Sequence, residues 1–155
     1  MTTKIQTVLF TGKTHTTASL GEGIPYTDER IDIQLSTPGN PRNEIALTAI
    51  QAHPTAEQLF AGAWSACYTG ALGLVAKAKN VALPSDMSVD IQVDLGRTGA
   101  AYFIQGRIDV RMPGVALDVA NAIAHAAHEV CPYSKAVRGN IDVATNVVST
   151  DAASV

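Results

Sequence analysis

The sequence predicts an α+β fold, antiparallel strands around a buried helix with a second helix beside it, and three observations lead there. From Ala56 to Lys79 the chain runs without proline, and Ala, Leu, Phe and Val recur on nearly every side of the helix they project. A helix that is apolar all round belongs inside a protein. From Met87 to Met112, apolar and polar residues alternate on both sides of Gly96-Arg97-Thr98-Gly99, the pattern of a long hairpin. Further on, Val119, Ile123, Ala127 and Val130 trace one face of a second helix. The 155 residues read as a single domain, 1–155, long enough to bury a core.

In chain order, residues 3–18 are rich in Thr, Val, Ile and Phe and read as a strand that enters a turn near Leu20-Gly21-Glu22-Gly23. No strand–GxGxxG–helix context surrounds Gly21 and Gly23, so they do not form a phosphate loop. Ile31, Ile33 and Leu35 alternate with Asp32 and Gln34, the period of a half-buried strand. Ser36 to Pro54 holds three prolines and Gly39 and reads as loop, with room for one short helical turn at Asn43–Ile50. The central helix follows; at ~24 residues it would span roughly 36 Å, about the width of a small domain, so the rest of the fold should wrap around it. Pro113-Gly114 breaks the hairpin, and Pro132 ends or kinks the second helix because it has no N–H to continue the ladder. Gly139-Asn140 leads into a last strand on which Ile141, Val143 and Val147 share a face, and Ser149 to Val155 reads as a frayed tail.

Composition narrows the function classes. The chain is 46% hydrophobic and 16% charged, slightly greasier than an average soluble domain, which suggests further surface buried in an oligomer. A net charge of −3 with no basic cluster argues against nucleic acid. The absence of a membrane-type apolar run or a signal h-region argues against a membrane partner and for a cytoplasmic protein. In that compartment two cysteines suggest free or redox-cycling thiols rather than a staple.

Cys67, inside the greasy helix, reads by itself as a small core hydrophobe. Cys131 stands immediately before Pro132, with His128 and Lys135 close in sequence. Cationic neighbours and free backbone N–H groups are what activate a thiol. If the two sulfurs met they would form a peroxide-reducing dithiol, in which one thiolate becomes a sulfenic acid and the other resolves it to a disulfide; the sequence leaves their meeting open. Glu57 is the one carboxylate of the central helix, some 80° round and nearly three turns from Cys67, so only a second element with its own polar groups could join them in one site. His125, His128 and Cys131 sit at i, i+3 and i+6, which invites a metal reading. That spacing drifts about 60° per step, and no CxxC or HExxH accompanies it, so no metal is expected and the histidines read as surface or interface residues.

Glu57-Gln58-Leu59-Phe60-Ala61 running on to Ala66-Cys67, then Cys131-Pro132-Tyr133-Ser134, then Arg138-Gly139-Asn140-Ile141-Asp142-Val143, with Leu35-Ser36-Thr37-Pro38 upstream, resemble the organic hydroperoxide resistance proteins, the Ohr branch of the OsmC/Ohr family. The resemblance covers nearly the whole chain. It implies antiparallel sheets wrapped around buried central helices in an intertwined homodimer, with both subunits building each site. It also implies a thiol peroxidase that reduces organic and fatty-acid hydroperoxides to alcohols, with Cys67 as the peroxidatic thiolate, Cys131 as the resolving thiol and Glu57 accepting hydrogen bonds from a cation beside the sulfur. No bound cofactor is implied; the reductant would be an external dithiol of the lipoyl type, carried by a lipoylated protein. One departure stands out. The family carries an arginine in a Gly-Gly-Arg segment between its first two strands, and the matching segment, Ala18-Ser19-Leu20-Gly21-Glu22-Gly23, has none. Arg42, in the loop leading to the Glu57 helix, is the first candidate to replace it, and Arg30 the second. A protein without a replacement would instead bind a small hydrophobic ligand or sense redox state, with little or no peroxidase activity.

Overall fold

In the computed structural model, which describes residues 5–17 and 54–149, a long hairpin is the scaffold on which everything else is laid. β2 (Ser88–Thr98) and β3 (Ala101–Arg111) pair antiparallel in unbroken register from Ser88 opposite Arg111 to Thr98 opposite Ala101. The turn is therefore Gly99-Ala100, and Gly96, Arg97 and Thr98, expected in the turn, are paired residues of β2. Gly99 has a φ of +59°, which a two-residue hairpin turn with the right twist demands and which glycine adopts without strain. β1 (Thr7–Thr17) pairs antiparallel with the other edge of β2.

β4 (Val143–Val148) completes a four-stranded sheet of order β1-β2-β3-β4, and it runs parallel to β3. The expectation of a wholly antiparallel sheet is corrected here, for a reason of connectivity. Between β3 and β4 the chain crosses through α2 (Leu117–Val130) and α3 (Pro132–Val137), and a helical crossover returns the next strand in the same direction. The short α3, six residues long, was not anticipated. The turn at Leu20–Gly23, the strand at Ile31–Leu35, the loop up to residue 53, both Arg30 and Arg42, and the tail from residue 150 lie outside the described residues.

α1 (Ala56–Ala78) lies across one face of the sheet. Its start is held by a reciprocal cap: Gln58 N–H donates to Thr55 Oγ1 at 3.2 Å and Thr55 N–H donates to Gln58 Oε1 at 3.0 Å. Gly12 of β1 lets the strand approach this first turn, since a Cβ there would stand 2.6 Å from the backbone of both Glu57 and Gln58. Trp64, Tyr68 and Leu72 of α1 meet Val89, Ile91 and Val93 of β2, Ile108 and Val110 of β3, and Ala120, Ile123 and Ala127 of α2 in one fully enclosed core. Among the described residues α1 is the one helix long and apolar enough to cross a membrane, but Trp64, Tyr68 and Leu72 are seated in this core, as a core helix's side chains are. Its apolarity all round has a different consequence: Ala63, Ala66, Gly70 and Leu74, the last 62% exposed, form a stripe that no other described residue covers.

The opposite face of β2 carries Asp94, only 2% exposed. Burial works against its ionisation, but hydrogen bonds from Arg107, Thr11 and Gln105 at 2.5–3.0 Å outweigh it and hold the carboxyl below its ordinary value.

Candidate active site

Two helices bring the cysteines together. Cys67 lies in the middle of α1, one turn beyond Trp64, with its side chain half-buried. Cys131 closes α2, its N–H donating to Ala127 O at 2.8 Å, and opens α3, its C=O accepting from Lys135 N–H at 3.1 Å. Its backbone is extended (φ −66°, ψ 116°), as a residue before proline must be, and Pro132 occupies the first position of α3, where a missing N–H costs nothing. The Cys-Pro pair thus makes the helix break that swings Cys131 onto α1. The two sulfurs are 2.9 Å apart, both are free thiols, and Cys131 is fully buried.

At Cys67 burial is the largest electrostatic influence. Desolvation pushes the Cys67 thiol up, and the hydrogen bond shared with Cys131 adds to it; the backbone N–H of Tyr133 works the other way without reversing the sign. None of these influences, among the described residues, is a cation. Glu57, the third expected site residue, is buried in the first turn of α1. Ten residues of unbroken helix separate it from Cys67, about 15 Å along the axis, so one chain does not bring the carboxylate to the sulfur.

A group that the sequence reading missed surrounds Cys131. Trp64, fully buried and laid over Gly106, where a Cβ would come 2.9 Å from the indole, donates its Nε1–H to Ser134 Oγ at 3.0 Å. His128 Nδ1 is 3.0 Å from the same oxygen, and His128 Nε2 is 2.9 Å from Thr145 Oγ1 of β4. The His128 ring also lies 4.8 Å from that of Tyr68, whose hydroxyl donates to Ala124 O at 2.6 Å. Burial first, then the neighbouring His125 and Arg138, lower the His128 pKa and keep the ring neutral at pH 7. Both ring nitrogens are therefore engaged, and no group of three His, Cys, Asp or Glu converges among the described residues. The one signal available beforehand was Ser134 three residues after Cys131, the spacing of a helix cap and its N3 residue. A cavity of about 420 Å³ is lined by Trp64, His125, His128, Ser134, Arg138 and Thr145 among others; neither cysteine lines it.

A family model described as OsmC-like protein matches residues 49–146. The chain is 37% identical over 138 residues to the organic hydroperoxide resistance protein of Xanthomonas axonopodis pv. citri, covering 88% of this chain and 92% of that one. It is 31% identical to the organic hydroperoxide resistance protein OhrA of Bacillus subtilis, over 86% of this chain and 94% of the relative. Among solved structures, an organic hydroperoxide resistance protein from Elizabethkingia anophelis with thiocyanate bound superposes with a TM-score of 0.67 at 26% identity, over 94% of this chain and all of that one.

Proposed function

Because the chain belongs to the OsmC/Ohr family, we propose that it is a cysteine-based peroxidase that reduces organic hydroperoxides, fatty-acid hydroperoxides included, to alcohols. The observation that carries this reading is the 2.9 Å contact between Cys67 and Cys131. The Cys67 thiolate attacks one peroxide oxygen, the O–O bond breaks, and the alkoxide leaves as the alcohol after taking a proton, so Cys67 becomes a sulfenic acid. Cys131 then attacks the Cys67 sulfur; the S–S bond forms, the S–O bond breaks, and the hydroxide leaves as water. An external dithiol of the lipoyl type, presented in the cytoplasm by a lipoylated protein, returns the pair to two thiols and becomes a disulfide itself.

Cys67 is partly exposed and Cys131 fully buried, which supports Cys67 as the sulfur that meets the peroxide and Cys131 as the one that resolves it. A thiol pushed up by burial is a few per cent thiolate or less at neutral pH, so the first step needs a positive charge. Arg42 is the first candidate to supply it and Arg30 the second. The open apolar stripe of α1 supports a homodimer in which a second copy's α1 covers the first. Such a pairing also offers each Cys67 the Glu57 that its own helix holds three turns away, which would orient the cation beside the sulfur.

The test is thiol titration after one equivalent of cumene hydroperoxide. Rapid loss of both thiols, with peptide mapping that joins Cys67 to Cys131, is the expected result. Retention of both thiols would sink the peroxidase reading, and intermolecular disulfides alone would remove Cys131 from the resolving role.

A further inference from the structure

Ser134 turns its backbone N–H toward the Cys131 sulfur, and the reaction above makes no use of it. It is 4% exposed, and its N–H donates to Cys131 Sγ at 3.5 Å. Its side chain is gripped from the surrounding elements: Trp64 of α1 donates to the hydroxyl oxygen, His128 of α2 shares the hydroxyl through Nδ1, and Thr145 of β4 fixes the far nitrogen of that ring. A neutral imidazole has one donor and one acceptor nitrogen, and two hydroxyls that can each donate or accept satisfy it whichever tautomer is present. Buried networks of this kind, with every member satisfied, hold one geometry. What they hold here is an N–H aimed at a sulfur. Such a bond is weak to a thiol and strengthens as the sulfur takes on negative charge, because hydrogen bonds to ions are roughly twice as strong as those between neutral groups.

We propose that Ser134 is a positioning residue for the second chemical step: it fixes the N–H that stabilises charge on Cys131 as that sulfur attacks oxidised Cys67, with Trp64 and His128 fixing Ser134 in turn. The proposal rests on the reading of Cys131 as the resolving thiol. The step it acts on is the displacement at the Cys67 sulfur, in which Cys131 supplies the electron pair, the S–S bond forms and the group on Cys67 departs with the pair it was bonded by. Attack of Cys67 on peroxide involves neither Ser134 nor its hydroxyl, so the first step is untouched.

An aromatic disulfide reagent, 5,5′-dithiobis(2-nitrobenzoate), separates the steps without peroxide. Half-buried Cys67 reacts first and releases one thionitrobenzoate; Cys131 then displaces the second from Cys67. In Ser134→Ala the second release is expected to slow about tenfold, roughly 1.4 kcal/mol of lost transition-state stabilisation, with the first unchanged. Ser134→Thr keeps the hydroxyl and is expected to restore it. With cumene hydroperoxide, the interval during which dimedone traps the sulfenic acid lengthens by the same factor in Ser134→Ala, at an unchanged rate of Cys67 oxidation. Equal second phases in Ser134→Ala and wild type overturn the proposal. So do equal losses in both phases accompanied by a lowered melting temperature, which mark a structural role alone. If wild type does not react with cumene hydroperoxide but still shows two reagent phases, the peroxidase reading fails, and the variants' second phases still decide the role of Ser134.

Discussion

Burial raises the Cys67 thiol and no cation among the described residues answers it, so its reactivity is the most informative single-residue property of the protein. An active peroxidase must show Cys67 alkylated by iodoacetamide with a pH midpoint below the ~8.5 of an ordinary thiol. Arg42→Ala is expected to move that midpoint upward, each unit being about 1.4 kcal/mol of lost thiolate stabilisation, while Arg30→Ala moves it less. A wild-type midpoint at or above the ordinary value would turn the reading toward a ligand-binding protein. Replacing the sulfurs separates their roles. Cys67→Ser is expected to abolish hydroperoxide turnover. Cys131→Ser should allow one reaction with peroxide and then over-oxidation of Cys67 to a sulfinic acid, visible by mass spectrometry, because nothing traps the sulfenic acid. Sequence reasoning could name both cysteines but not join them. Sixty-four residues separate them, and only the break at Pro132 and the packing of α2 on α1 close that distance.

At the scale of elements, the close approach of β1 to the start of α1 leaves no room for a side chain at Gly12. Gly12→Ala puts a methyl 2.6 Å from backbone atoms that cannot rotate away, so strand and helix must separate. A loss of roughly 2 kcal/mol is expected, measured as a lower urea midpoint at unchanged slope. Asp94 supplies a pH signature. Its folded pKa is depressed, so its contribution to stability is fully present above the unfolded carboxyl value of ~3.9 and is lost as pH falls through the lower folded value. Asp94→Asn should therefore cost melting temperature at pH 7 and little at the acid end, while wild type falls steeply between those limits. The elements themselves were read from the sequence to differing depth. α1 was legible as a long proline-free run that is apolar on nearly every side, and the hairpin because its apolar period of 2 runs long. β4 was legible as a strand but not in its direction, since alternation is the same whichever way a strand points. α3 was too short to establish a period, and the contacts joining Trp64, His128 and Ser134 depend on tertiary packing that no local pattern encodes.

For the whole molecule, the stripe of Ala63, Ala66, Gly70 and Leu74, which no other described residue covers, is where a second copy is expected to pack. A stable homodimer across it is expected to bury roughly 2,000 Å² or more in total. Sedimentation at micromolar concentration should show the dimer, and Leu74→Glu should dissociate it; a folded wild-type monomer would refute the assembly. The place of the two sulfurs in the chain has a second reach. A bond between them would tie the middle of α1 to the end of α2 and enclose the entire β2–β3 hairpin, removing freedom from the unfolded chain rather than adding contacts to the folded one. A loop of that size is worth about 4 kcal/mol, or on the order of 10 °C in melting temperature. The oxidised protein should outlast the reduced one on heating, so each molecule would carry a record of its last encounter with an oxidant in its resistance to heat, legible by calorimetry before any product is measured.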